Sequence, residues 1–194
     1  MTALPEPARI AAILSFLDEA NRLKDTLRSG RTPKGRQEST AEHSWRLCLL
    51  AILLADTLEG IDLLRLIKLC IVHDLGEALS GDVPATDQQA GDNRAARERA
   101  DLDTLCAPLP GDLKSEMIAL WDEYAEALTP EAVMAKGLDK IETMLTHSTG
   151  SNPAGFDYGF NLGYGVEATS RHPLLASIRE QIDARTRRLA SSQG

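Results

Sequence analysis

Positive charge is in short supply in this chain. Its 21 Lys and Arg face 29 Asp and Glu, for a formal net charge of -8. That balance argues against a surface that coats nucleic acid or an anionic membrane. Cysteine is scarce too. Cys48, Cys70 and Cys106 are odd in number, widely spaced and free of any C-x-x-C, so neither a disulfide framework nor a cysteine zinc site is expected. Cys48 and Cys70 lie in apolar helical stretches and read as reduced, buried thiols. No apolar run approaches the 18 residues of a membrane span, and MTALPEPARI lacks the basic and apolar regions of a signal peptide. A cytoplasmic protein is expected. There is no G-x-S-x-G, no P-loop, and no G-x-G-x-x-G after a strand. Covalent serine chemistry and Walker-type phosphoryl transfer therefore lack support. Internal repeats and low-complexity tracts are absent as well.

What remains is an ordinary globular composition, 43% hydrophobic and 26% charged over 194 residues, which fits one domain. The organising stretch is LLRLIKLCIVHDLGEALSGD, Leu63 to Asp82. Its apolar run from Leu63 to Val72, capped by Asp62, predicts a core helix buried on all sides. The run ends in His73-Asp74, with Glu77 and Asp82 just beyond. An imidazole beside a carboxylate is costly to desolvate unless something pairs with both, and a divalent metal would. Glu77, four residues after His73 and three after Asp74, is expected on the same helical surface.

Two further ligands can be found. Ser39-Thr40-Ala41-Glu42 fits an S-x-x-E capping box and predicts a helix from Thr40 to about Leu58. His43, Leu47, Leu50 and Leu54 form its inward stripe. Thr129-Pro130-Glu131 starts another helix, with Met134, Leu138, Ile141 and Leu145 as core and Asp139 on a flank of small residues. Taken singly, an inward histidine is usually an ordinary core residue. Asp139 alone would be an exposed carboxylate paired with Lys136 or Lys140. Together, His43, His73, Asp74 and Asp139 make a nitrogen-oxygen set for one divalent transition metal: Mn, Co, Fe, Ni or Zn.

The order H…HD…D is embedded in ESTAEHSWRL (38–47), HDLGEALSGDVP (73–84) and KGLDKIE (136–142). On these residues the chain resembles the HD-domain metal-dependent phosphohydrolase superfamily, and within it the 5′-deoxynucleotidase-like branch, over roughly residues 8–146. The resemblance implies an all-α HD-domain helical bundle, of about seven helices here; beyond its reach the residues themselves read as a Gly/aromatic loop at 147–170 and a C-terminal helix at 171–190. It also implies hydrolysis of a nucleoside 5′-monophosphate to nucleoside and phosphate by metal-activated water, and a homodimer. Glu77 would be the general base, Asp82 would assist the leaving group or hold the sugar, and Arg28, with Arg31 as second candidate, would bind phosphate. A tryptophan that this branch places shortly before ESTAEH is replaced around Arg31, which bears on base and sugar selectivity.

Two alternatives share the scaffold: a nucleoside triphosphate or alarmone hydrolase, and a non-catalytic, metal-bearing regulatory module. The first would need more basic residues than the one block of Arg22, Lys24, Arg28, Arg31, Lys34 and Arg36. That block itself reads either as a solvated loop or as a phosphate clamp.

The rest of the chain predicts a first helix over 8–27 with Ile10, Ile13, Leu14 and Leu17 on one face, then a polar loop from Ser29-Gly30. Ala85 to Arg99 reads as a loop leading into a helix through Cys106. Asp112 would cap a helix to about Ala127 carrying Leu113, Met117, Leu120 and Tyr124, and Pro173 would start a last helix to about Leu189. Four aromatics, Phe156, Tyr158, Phe160 and Tyr164, interleave with glycines in a segment expected to cover the site or join a subunit interface.

Overall fold

The twenty residues from Pro130 to Thr149 form the helix that the others surround, α7 in chain order, and thirteen of them are buried. The computed structural model describes residues 5–87 and 92–192. Against α7 pack α2 (Thr40–Leu53), α3 (Leu63–Val72), α6 (Gly111–Glu126) and α10 (Pro173–Ser191), while α5 (Arg94–Leu105) packs on α6 and α1 (Pro7–Ala20) on α5. These seven helices have ten residues or more. Three short ones, α4 (Glu77–Ser80), α8 (Tyr158–Gly163) and α9 (Val166–Ser170), complete an all-α bundle. The core is aliphatic, centred on Leu47, Leu66, Leu69, Leu120, Leu138 and Ile141, each fully buried.

Local chemistry sets the main boundaries. Ser39 accepts from Glu42 N while the Glu42 carboxylate accepts from Ser39 N, so the expected capping box starts α2. Asp62 caps α3, and Thr129 caps α7 ahead of Pro130. α2 ends at Leu53, before the expected Leu58, and a short 3-10 turn, Ala55–Thr57, follows.

Several expectations are corrected. α3 is not buried on all sides, because Leu64 and Ile71 are 65% and 44% exposed. The stripe of α1 faces outward, with Ile10, Leu14 and Leu17 exposed and Phe16 turned to the core instead. α1 stops at Ala20 and gives way to a 3-10 turn, Asn21–Lys24. The predicted polar loop is a hairpin: β1 (Leu27–Arg31) pairs antiparallel with β2 (Gln37–Ser39), with a bulge between the two registered pairs. Gly30 seats this hairpin on α7, where a Cβ would come within 2.6 Å of Thr146. Asp112 does not cap α6; it lies in the first turn and takes both arms of Arg9 at 2.8 and 2.6 Å. The 147–170 segment is largely helical, since α7 runs on to Thr149 and α8 and α9 follow. The part of the Ala85–Arg99 expectation at 88–91 lies outside the described residues.

All three cysteines are free and buried. Among the described residues, no helix is long and apolar enough to cross a membrane.

Candidate metal centre and active site

α2, α3 and α7 each deliver part of one polar cluster. His43 sits one turn into α2 and is fully buried; His73 follows the last residue of α3; Asp139 faces both from the middle of α7. Asp139 Oδ1 lies 3.2 Å from His43 Nε2 and 3.9 Å from His73 Nε2. Asp74 Oδ2 lies 3.0 Å from His73 Nε2 and 3.8 Å from His43 Nε2. The ligand atoms of His43, His73 and Asp139 all fall within 4.8 Å of one another.

The hydrogen bonds around the cluster determine what it can hold. His43 Nδ1 meets Glu142 Oε2, and His73 Nδ1 lies 2.9 Å from the Cys70 carbonyl oxygen. Each acceptor fixes the ring proton on Nδ1 and turns a lone pair on Nε2 toward the carboxylates. Among the described residues neither Nε2 has a hydrogen-bond partner, although both are buried. Two imidazole lone pairs and two carboxylates pointing at a common space repel one another unless a cation stands between them. The residues present therefore fit a divalent metal, and the mixed nitrogen and oxygen donors suit a transition ion.

Burial, the largest influence on His43, and then Arg28 both disfavour its charged form. Glu142 and Asp139 outweigh them and push its pKa up to about 9. Burial is also the largest influence on Asp139 and would raise its pKa, but Lys140 and the two imidazoles hold it well below the usual carboxylate range.

A second layer holds the ligands in place, and sequence reasoning missed most of it. Asp139 Oδ2 accepts from the Tyr124 hydroxyl at 2.7 Å and pairs with Lys140 at 2.9 Å, leaving Oδ1 to the histidines. Behind His43, Glu142 Oε1 accepts from Arg46 Nε at 2.6 Å, and Thr146 donates to Glu38 at 3.1 Å. Each of these buried carboxylates has at least one hydrogen-bond donor, which offsets part of its desolvation. The available signals were Glu142 inside KGLDKIE and a tyrosine hydroxyl at the end of the α6 core stripe.

The cluster opens into a cavity of about 560 Å³ lined by Arg28, His73, Asp74, Glu77, Asp82 and Asp139 among others. Arg28 enters from the hairpin and donates to Asp74 at 3.1 Å and to Thr143 at 3.2 Å. Its remaining N–H groups are left for an anion. Arg31 is not brought to the cavity: it donates to the Gly35 carbonyl within the hairpin turn. Arg22 pairs with Glu19 and Arg36 with Glu42, so of these arginines only Arg28 reaches the site.

Glu77 is not on the helix of His73, because α3 ends at Val72 and the chain turns before α4. The turn still returns Glu77 to the cavity. Gly76 makes this possible by letting α5 approach: a Cβ there would lie 2.5 Å from the Glu98 carbonyl oxygen. The Thr40 hydroxyl donates to Glu77 Oε2 at 3.1 Å, and Arg94 stands 3.6 Å from Oε1. Burial, then Asp74 and Asp82, push Glu77 up to about 9 against Arg28 and Thr40. Asp82 follows Gly81 in the turn after α4, and burial is the main cause that raises its pKa.

The chain is similar to known proteins in sequence and in fold. The profile of the HD domain family matches residues 20–179. The 5′-deoxynucleotidase HDDC2 of Xenopus laevis is 33% identical over 69% of this chain and 67% of its own length. Its Dictyostelium discoideum counterpart is 27% identical over 88% of this chain and 96% of its own. Among solved structures, a predicted metal-dependent phosphohydrolase from Magnetospirillum magnetotacticum MS-1 superposes with a TM-score of 0.77 at 30% identity, covering 94% of this chain and 98% of that one. The cyanophage S-2L HD phosphohydrolase, bound to dA and one catalytic zinc ion, shares the fold at 17% identity and a TM-score of 0.57, over 98% and 99% of the two chains. With the profile spanning residues 20–179, most of its length, this chain belongs to the HD domain family.

Proposed function

We propose that this chain is a metal-dependent phosphomonoesterase that releases phosphate from 5′-deoxynucleoside monophosphates. One observation carries the reading above the others: two lone-pair-bearing histidine nitrogens and two carboxylates converge at the floor of a cavity that Arg28 guards. The deoxynucleotidase relatives support the choice of substrate.

His43, His73, Asp74 and Asp139 would hold the ion. A divalent cation there supplies Lewis acidity, which neutralises phosphate charge and makes water more acidic. Arg28, held by Asp74 and Thr143, binds the phosphate oxygens through its free donors. Glu77 orients water for attack on phosphorus and takes its proton. The carboxylates that raise its pKa are the groups a divalent charge offsets, so an occupied site favours its basic form. As the P–O5′ bond breaks, the leaving oxygen receives the proton that Glu77 took, with Asp82 assisting there or holding the sugar. Nucleoside and phosphate result.

The homodimer belongs to the same reading. Trp45, Leu49, Ile52 and Leu53 lie exposed along α2 and are the face that a second copy would cover. Sedimentation of the parent and of Trp45→Glu decides it. A cytoplasmic setting is part of the proposal too.

The deciding experiment is phosphate release from nucleoside mono-, di- and triphosphates, ribo and deoxy, with manganese, cobalt, iron, nickel and zinc in turn. Release from 5′-deoxynucleoside monophosphates in preference to the others is expected. A preference for triphosphates, or no release with any metal, overturns the reading.

A further inference from the structure

Beyond the metal cluster, α7 continues as the cavity wall. Asp139, Thr143 and His147 recur every four residues, so they share one face of the helix. At 1.5 Å per residue, His147 stands about 12 Å along the axis from Asp139. Thr143, which accepts from Arg28, lies between them. The sequence of metal ligand, phosphate clamp and His147 follows the order of parts in a 5′-nucleotide bound phosphate first.

His147 is buried and does not meet the cluster. Its Nδ1 lies 3.0 Å from Asn161 Oδ1 and its Nε2 lies 3.4 Å from Ser29 Oγ. Burial, the main influence, holds His147 below the ordinary histidine pKa; Asn161 opposes this and Arg28 adds to it. A neutral ring carries one proton, and the amide oxygen requires it on Nδ1, so the Ser29 hydroxyl donates to Nε2. That assignment turns the amino end of Asn161 away from the imidazole.

Asn161 is 1% exposed and lines the cavity, and its Nδ2 has no hydrogen-bond partner among the described residues. A buried amide donor left without an acceptor is costly, and native proteins seldom tolerate one without a reason. The backbone cannot swing away to relieve it. Arg179, reaching over from α10, donates to the carbonyls of Asn161 at 3.2 Å, Leu162 at 2.9 Å and Tyr164 at 2.6 Å. Phe156, on the same wall, packs edge-on against His147 with centroids 5.1 Å apart. The glycine-aromatic segment is thus a fixed wall that presents one unmade donor.

We propose that Asn161 is a specificity-determining residue whose Nδ2–H donates to an acceptor atom on the nucleobase, a carbonyl oxygen or a ring nitrogen, while His147 and Ser29 hold its amide in that orientation. The inference rests on the nucleotide reading given above. It makes the C-terminal third of the chain, and not only the metal-binding helices, part of substrate selection.

The test separates the base from the phosphate. Asn161→Leu removes the donor at similar volume, and Asn161→Asp keeps the shape but offers only acceptors. With the manganese-loaded chain, calorimetry would measure binding of free 2′-deoxynucleosides, and initial rates would be taken for 5′-deoxynucleotides and for 2-deoxyribose 5-phosphate, which has no base. Both variants are expected to weaken deoxynucleoside binding and raise KM for deoxynucleotides about tenfold, the loss of one hydrogen bond. Rates on 2-deoxyribose 5-phosphate should stay at the parent level. Equal losses on both substrates, or no loss on either, overturn the proposal. If Asn161→Leu fails to fold, Asn161→Asp carries the comparison. Should the parent release no phosphate from any nucleotide, the hydrolase reading falls, whereas the deoxynucleoside affinities still decide the role of Asn161.

Discussion

Glu142 Oε2 meets His43 Nδ1 behind the cluster, and that contact decides which imidazole nitrogen faces Asp139. Arg46 grips the other oxygen of the same carboxylate, so the pair cannot rotate freely. Glu142→Leu is expected to lower metal affinity about 10- to 100-fold, the usual cost of losing such an orienting partner. Glu142→Gln, which keeps an acceptor, should recover most of it. Calorimetric titration with manganese reads both; unchanged affinity in the leucine variant would remove Glu142 from this role.

Asp74 and Glu77 are only three residues apart, yet their removal should give different results. Asp74→Ala and Asp139→Ala are expected to lose bound metal and phosphate release together. Glu77→Gln should keep the metal while turnover falls about 10²–10⁴-fold, the range for a general base. Elemental analysis beside initial rates checks this, and full turnover in Glu77→Gln would show that another group takes the proton.

Arg28 and Arg31 share one strand but not one environment. Arg28→Ala should raise KM sharply and also destabilise the chain, since it takes the arginine partner from the partly buried Asp74. Arg31→Ala should leave kinetics at the parent level and change stability by no more than about 0.5 kcal/mol. Comparable kinetic losses in both variants would contradict the placement of Arg31 outside the cavity.

His147 predicts a pH effect on stability with a definite sign. Its folded pKa lies below the ordinary value, chiefly through burial. The unfolded chain therefore takes up a proton near pH 6.5, before the folded chain does. In that window the unfolded state binds more protons, so stability falls as pH drops below about 6.5. Midpoints of urea unfolding at pH 7 and pH 5.5 should lie closer together in His147→Gln than in the parent. An unaltered difference would mean that the ring titrates as it does in water.

Much of the bundle was legible because its signals are local. The Ser39 and Glu42 box, Asp62 before Leu63, and Thr129-Pro130 each fix a helix start through hydrogen bonds made within one turn. The convergence of His43, His73, Asp74 and Asp139 was legible for a different reason: inward polar residues need partners, and few such residues were available. Orientation was harder to read. Periodicity found the apolar face of α1 but could not show that, among the described residues, no other element covers Ile10, Leu14 and Leu17. The hairpin escaped because LRSGR has no alternation of apolar and polar residues, and its shape depends on Gly30 meeting Thr146. Glu142, Tyr124 and Lys140 were missed because their partners come from other helices, or, for Lys140, because a lysine beside an aspartate reads as a surface pair.

The hairpin that carries Arg28 is a two-stranded ladder, an element that holds together only weakly by itself. The groups that would hold the ion come from the helical body. On the function proposed above, grip on the charged end of a ligand and retention of the ion would therefore reside in parts of unequal firmness. A brief fraying of one ribbon can let an anion go while the bundle beneath it stays shut.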